Sequence, residues 1–267
     1  VALDNHQGNH DDIDHAIRTD PVFRVRLFAL LGASSVLGDH LIANPTTWHL
    51  LRHDAPTRRV MLRELLGRIG AAPAGLVGDT ATDTLDNVGT YRAAGTGTTC
   101  TTIETTLKQT YRTLLMRIAA IDLAGTYPEN SRRVGQPEVP LGTVTAQLAD
   151  LADAALTAAL AVAIRRVYGD NPVESQLAVI AMGKCGAREL NYISDVDVVF
   201  VAEPADAAAT RVATELIRLG SHCFFEVDAA LPKENTAPWS APSNPTSPTT
   251  VGGQKPGNSK PSSNTDP

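Results

Sequence analysis

The sequence predicts an α+β fold, with a helical region over residues 1–170, a strand-rich segment over 171–231 and a disordered tail over 232–267. Three observations carry this reading. Apolar side chains recur at helical spacing as far as Tyr168. From Asn171 the pattern turns to strand, glycine turn, strand, helix and strand. At Pro232 the composition switches to Pro, Ser, Thr, Asn and Gly, which cannot bury enough apolar surface to offset ordering entropy.

In the helical region, Asp12-Ile13-Asp14 lies in an acidic run flanked by His10 and His15. No strand or glycine turn precedes it, so it reads as a solvated helix start whose acids favour the dipole. Asp20 caps and Pro21 opens the next helix, with Phe23, Val25, Leu27, Phe28 and Leu31 as the core-facing stripe. Ser34 or Ser35 caps a helix over 36–43, closed by Asn44-Pro45. Residues 57–69 are amphipathic, with Met61, Leu62, Leu65, Leu66 and Ile69 on one face and arginines opposite. Residues 71–99 are rich in Gly, Thr and Asp and read as a long mobile connection. Residues 101–124 and 144–168 form two long helices, parted by a proline-bearing irregular stretch over 127–141.

In the second segment, residues 177–182 are continuously apolar, as expected of a buried strand. A second strand covers 196–202. A helix over 205–221 turns Val212, Leu216, Ile217 and Leu219 inward, and residues 224–231 give a third strand.

Composition narrows the function. The chain is 43% apolar but 4% aromatic, so its core rests on Leu, Ala, Val and Ile. A net charge of −6 argues against a nucleic-acid or membrane-surface partner. The three cysteines, Cys100, Cys185 and Cys223, are too few and too far apart for a disulfide framework or a zinc site. A reducing cytoplasm is the expected compartment. No signal peptide pattern is present, and the most apolar helical run, over 154–164, is too short to span a bilayer.

The chemistry concentrates in residues 177–202. Gly183 ends an apolar run, and a residue without Cβ lets backbone N–H groups approach an anion. Lys184 adds a positive charge. A helical turn from about Gly186 to Leu190 presents its N-terminus to the same phosphate. Asp195 and Asp197, two residues apart on a strand, point to one face and can hold Mg²⁺ against that phosphate. Ser194 can orient them or contact a phosphate. The segment is not a Walker A loop, since it lacks that motif's glycine spacing and Cys185 stands in the Ser/Thr position.

The pattern G-K-x-G-x-R-E-L-N-Y-x-S-D-x-D-x-x-F over residues 183–200 resembles the glutamine synthetase adenylyltransferase/adenylyl-removing family, which belongs to the DNA polymerase beta-like nucleotidyltransferases. The resemblance extends over about residues 22–231. It includes Leu31-Gly32-Ala33-Ser34-Ser35 through Pro45 and Leu50-Leu51, and Arg117-Ile118-Ala119 with Asp122-Leu123-Ala124. It implies a partial nucleotidyltransferase mixed sheet. Asp228, in Glu226-Val227-Asp228-Ala229-Ala230-Leu231, stands where the family has its third carboxylate. The family implies that Asp195, Asp197 and Asp228 are catalytic and hold Mg²⁺, and that Gly183, Lys184, Gly186 and Ser194 bind phosphate or nucleotide. The implied partners are glutamine synthetase as protein substrate, ATP, AMP or phosphate, and a nitrogen-signalling regulatory protein. The helical lead resembles the N-terminal, adenylyl-removing half of these two-site proteins. Leu231 is followed by Pro232-Lys233-Glu234-Asn235, where the family has an L-R-P-E-G-like segment. That departure reads as a truncation or frameshift, and the alternative expectation is a non-catalytic fragment or binding module.

Overall fold

Capping side chains set the helix starts. Asp20 accepts from the Phe23 N–H at the head of α2 (Pro21–Ala33), and Ser34 accepts from the Leu37 N–H at the head of α3 (Ser35–Ala43). Thr57 does the same for α4 (Arg58–Arg68). The structure, a computed structural model, describes residues 7–71, 91–94, 100–126, 134–135, 138–173 and 175–229. All of these belong to one unit, Val1–Pro232. The tail over 232–267, and Ala230 and Leu231 of the third expected strand, lie outside them, as does most of the two connections read as irregular.

The first helix, α1 (Gln7–Thr19), begins earlier than the acidic run suggested. Asp12 and Asp14 therefore lie mid-helix rather than at a start. Asp14 pairs with Arg18 at 2.9 Å, while Ile13 and Ala16 face the core. After α3 a 3-10 helix, Pro45–Arg52, carries buried Trp48 and Leu51. Phe23, Leu27 and Leu30 meet it from α2, with the Phe23 and Trp48 rings 5.3 Å apart. Phe28 and Leu31, expected on that stripe, are 57% and 42% exposed; Leu30 and Arg26 take the inward positions. Arg26 is held by donating to the carbonyls of Leu51 and His53.

A second, larger core surrounds α6 (Leu141–Tyr168). Fifteen of its 28 residues are buried, and eight of those are alanine, so α4, α5 (Cys100–Gly125) and α8 (Ala207–Cys223) can all approach closely. With a mean hydropathy of 1.5, α6 is long and apolar enough to cross a membrane, contrary to the expectation of too short a run. In this fold 72% of the helix's apolar 18-residue window is buried, as in a core helix. Part of the connection read as mobile is fixed against α6: Ala93 is buried and its N–H donates to the Ala161 carbonyl.

The sheet has three strands in the order β1 (Gln176–Ala181), β2 (Val196–Glu203) and β3 (Val227–Ala229). β1 is antiparallel to β2, and β3 is parallel to it. β1 is thus an edge strand, and none of its residues is fully buried, although its apolar run reads as an interior strand. β3 starts later than expected because Phe224 and Phe225 turn away to pack on Tyr111 of α5, at 5.1 and 6.0 Å between ring centroids.

Helices α5, α6 and α8 are tied by charge. Glu104 accepts from Arg166 at 3.0 Å and Arg218 at 2.7 Å, and Arg166 also pairs with Glu215. Burial pushes the Glu104 carboxyl up, but the hydrogen bonds and charges of Arg218 and Arg166 outweigh it and hold it below its ordinary 4.5. A carboxyl so depressed stabilises the fold above its ordinary value and loses that contribution as pH falls through its folded one. Stability should therefore decline as the pH drops below about 4.5. Glu104→Gln should cost about 1–2 kcal/mol at pH 7 and flatten that decline. Urea denaturation followed by circular dichroism across pH 3–7 measures both; an unchanged acid limb in the variant would count against this role.

Candidate active site

The glycine turn follows β1 directly. The Met182 N–H donates to the Asp197 carbonyl at 2.8 Å, which extends the β1–β2 ladder by one residue. Gly183 then adopts φ +52° and opens a single helical turn, α7 (Gly183–Gly186). The turn begins at Gly183, not near Gly186 as the sequence suggested. A Cβ on Gly183 would stand 2.5 Å from Asp197 Oδ2, so the missing side chain is what brings the turn against that carboxylate. A Cβ on Gly186 would stand 2.5 Å from the Ala181 carbonyl oxygen, so this glycine is required by backbone packing.

The carboxylates follow from strand parity. Val196 and Val198 are buried at 0% and 3% exposure, so Asp197 between them faces outward. Asp195, one residue before β2, shares that parity and is exposed. In the parallel pairing Asp197 registers with Asp228, and Val196 with Val227. Asp197 and Asp228 are therefore lateral neighbours on the open face of the sheet. Met182 borders Asp197 there, and Ile180 lies beyond it, each 44% exposed. Lys184 is exposed at the head of α7. Ser194 Oγ is buried and has no hydrogen-bond partner among the described residues. Among those residues no three His, Cys, Asp or Glu side chains close around a common point. The carboxylates are arrayed along a face rather than folded into a cage.

Cys185 is buried beneath the turn. Burial pushes its thiol up, and the nearby Asp153 adds to the effect, so the thiolate is disfavoured. A recess of about 280 Å³, lined by Leu177, Val179, Ala181, Cys185, Asp153 and Leu156, lies on the helix-facing side of β1. It is on the other side of the sheet from the carboxylates.

Sequence reasoning gave no role to three residues within the glycine–aspartate motif. Arg188, at φ +62°, donates two hydrogen bonds to Asp150 of α6, at 2.8 and 3.0 Å. Leu190 is buried in the larger core. The Tyr192 hydroxyl donates to Asp122 Oδ2 of α5 at 2.8 Å. The partners are 38 and 70 positions away, so no local pattern pointed to them.

A family model for glutamate-ammonia ligase adenylyltransferase matches residues 81–223, more than half of the chain. The chain is 61% identical over 231 residues to the bifunctional glutamine synthetase adenylyltransferase/adenylyl-removing enzyme of Corynebacterium glutamicum, covering 84% of this chain and 22% of that protein. It is 54% identical over 223 residues to the enzyme of that name from Nocardia farcinica, covering 83% and 21%. For that of Mycobacterium bovis the identity is 42% over 231 residues, covering 84% and 20%. The chain belongs to the glutamate-ammonia ligase adenylyltransferase family. It spans about a fifth of the length of the curated relatives it matches.

The two glycines should respond differently to substitution. Gly186→Ala presses a methyl group on a backbone carbonyl and should cost ~1–3 kcal/mol of stability. Gly183→Ala strains the backbone at φ +52°, costing about 1–2 kcal/mol of stability, and meets a side-chain tip whose swing displaces Asp197, so it should also weaken ligand binding, which Gly186→Ala should not. Denaturation curves and nucleotide titrations of both variants separate the two; equal effects on both readouts would count against the assignment.

Proposed function

We propose that this chain carries a Mg²⁺-dependent nucleotidyltransferase site that removes AMP from a tyrosine of glutamine synthetase by phosphorolysis. One observation carries the reading. Asp195, Asp197 and Asp228 share the open face of a mixed sheet, with a left-handed glycine turn seated against Asp197. The names of the relatives supply the protein substrate. The helical lead before a single glycine–aspartate motif favours the adenylyl-removing half of these two-function proteins.

The residues fit the ion. Carboxylate oxygens are the donors Mg²⁺ prefers, and it is usually held by one or two carboxylates with phosphate oxygens and water completing the shell. An open array suits that mode better than a closed cage, and Asp195, Asp197 and Asp228 would hold the ion. When bound, Mg²⁺ supplies charge stabilisation at the phosphoryl group being transferred. The chain's own groups position the reactants. Lys184 and the backbone N–H groups at the head of α7 hold the phosphate, since the first N–H groups of a helical turn have no intrahelical partner. Ser194 lies beside Asp195 with hydrogen-bonding capacity to spare. Orthophosphate attacks the phosphorus of the AMP–tyrosine diester in line, the bond to the tyrosine oxygen breaks, and that oxygen leaves to recover a proton; the products are ADP and free tyrosine.

A second reading, a non-catalytic module, is favoured by the exposed apolar residues Ile180, Met182 and Val201 on the same sheet face. Isothermal titration of ATP and of AMP with and without Mg²⁺ separates the two. Asp195→Asn with Asp197→Asn should abolish the Mg²⁺-dependent component. Lys184→Ala should weaken it by ~1.5–3 kcal/mol, the worth of one charge-assisted contact. Phosphate-dependent ADP formation from adenylylated glutamine synthetase then tests the direction. Mg²⁺-dependent binding that survives in the double mutant would place the site elsewhere.

A further inference from the structure

The stretch from the glycine turn to β2 is held by side chains, not by backbone. Through Glu189 the chain is still bonded to α7, with Glu189 N–H donating to the Lys184 carbonyl at 2.8 Å. Among the described residues, none from 190 to 195 takes part in a backbone–backbone hydrogen bond. Ladder pairing resumes at Val196, whose N–H donates to the Glu226 carbonyl. Six residues ending in Asp195 therefore depend on what their side chains grip.

Three grips are present. Leu190, 4% exposed, is seated in the larger core. Just before it, Arg188 forks onto both oxygens of Asp150. Three residues before Asp195, the Tyr192 hydroxyl is fixed on Asp122. Ile193, next in line, is 98% exposed and steadies nothing. Both acceptors stand on helices locked in the core, since Leu114 and Ile118 of α5 and Leu148, Leu151 and Ala152 of α6 are buried. Burial pushes the Tyr192 phenol up, and its bond to the Asp122 carboxylate adds to this, so the phenol stays protonated and able to donate.

We infer that Asp122 and Asp150 are positioning residues for the candidate active site, acting through Tyr192 and Arg188 to set where Asp195 stands relative to the Gly183–Lys184 turn. The inference rests on the proposed function and adds to it two acids of the helical region, remote in sequence from the motif. A carboxylate displaced by about 1 Å loses much of its worth to a metal–phosphate site, and losses of up to a hundredfold follow such shifts.

The test uses the full 267-residue chain, with Mn²⁺ and ATP as the probe and electron paramagnetic resonance as the readout. Tyr192→Phe and Asp122→Ala should each weaken Mn²⁺ uptake roughly tenfold to a hundredfold, with little change in thermal midpoint. The double variant should be no weaker than the worse single one, because both remove the same bond. Asp150→Asn should weaken uptake likewise, and Asp150→Arg combined with Arg188→Asp should restore part of it. Wild-type uptake with unchanged affinity in the Tyr192 and Asp122 variants would overturn the positioning role and leave the proposed function standing. A lowered midpoint with unchanged affinity would overturn it too, as the mark of a merely structural bond. Failure of the wild-type chain to take up Mn²⁺ with ATP would overturn both.

Discussion

The close packing of helices around Leu141–Tyr168 is the constraint on which the rest of this fold depends. A helix met by neighbours on most sides needs small side chains where those neighbours cross, and eight buried alanines supply them. Alanine buries little area per residue, so each contact is weak and the stabilisation comes from their number. The bulk is supplied by partners: Met61, Leu62, Leu65 and Leu66 from α4, Leu107 and Leu114 from α5, Val212, Leu216 and Leu219 from α8. A chain with 4% aromatic residues can build a core in this way, and among the described residues its ring–ring contacts gather at two joints. One is Phe23 on Trp48, and the other is Tyr111 on Phe224 and Phe225.

The same helix links the core to the candidate site. Towards its N-terminal half, Asp150 holds Arg188, and Asp153, paired with Arg58, borders Cys185 beneath the glycine turn. Towards its C-terminus, Arg166 binds Glu104 and Glu215, which fixes α8 just before the chain turns into β3. Gly220 of α8 lies so close to β3 that a Cβ there would meet Val227 Cγ2 at 2.5 Å. The motif strand and the third-carboxylate strand are thus both referred to one rigid element. The apolar cluster runs without a break from α4 through the sheet, crossing residue 170, where composition suggested a boundary.

Much of this was legible locally. Asp20, Ser34 and Thr57 announce helix starts because capping is a contact across three residues. Gly183, Asp195 and Asp197 announce a turn and a strand face because those too are short-range geometry. The errors arise where a residue's fate depends on how many elements surround it. The apolar run over 177–182 reads as a buried strand, but a sequence does not reveal that its strand takes the sheet edge. Phe28 and Leu31 match the helical period, yet the stripe is rotated so that Leu30 and Arg26 point inward. Pro45–Arg52 was missed because a 3-10 helix has no 3.6-residue period to detect. Asp122 and Asp150 were invisible as site residues because their partners come from a different element, far along the chain.

The charge arrangement itself argues for a cation-dependent site. Neighbouring strands lie ~4.7–4.9 Å apart, so like charges in register on one face repel. Asp197 and Asp228 are so placed, with Asp195 on the same face. Among the described residues no Lys or Arg forms an ion pair with any of the three. The repulsion in water is modest, about 1 kcal/mol per pair at such a distance, but it is a cost the fold carries without structural return. The same field would repel a phosphate. A divalent cation would reverse both effects, relieving the carboxylates and drawing a phosphate toward them.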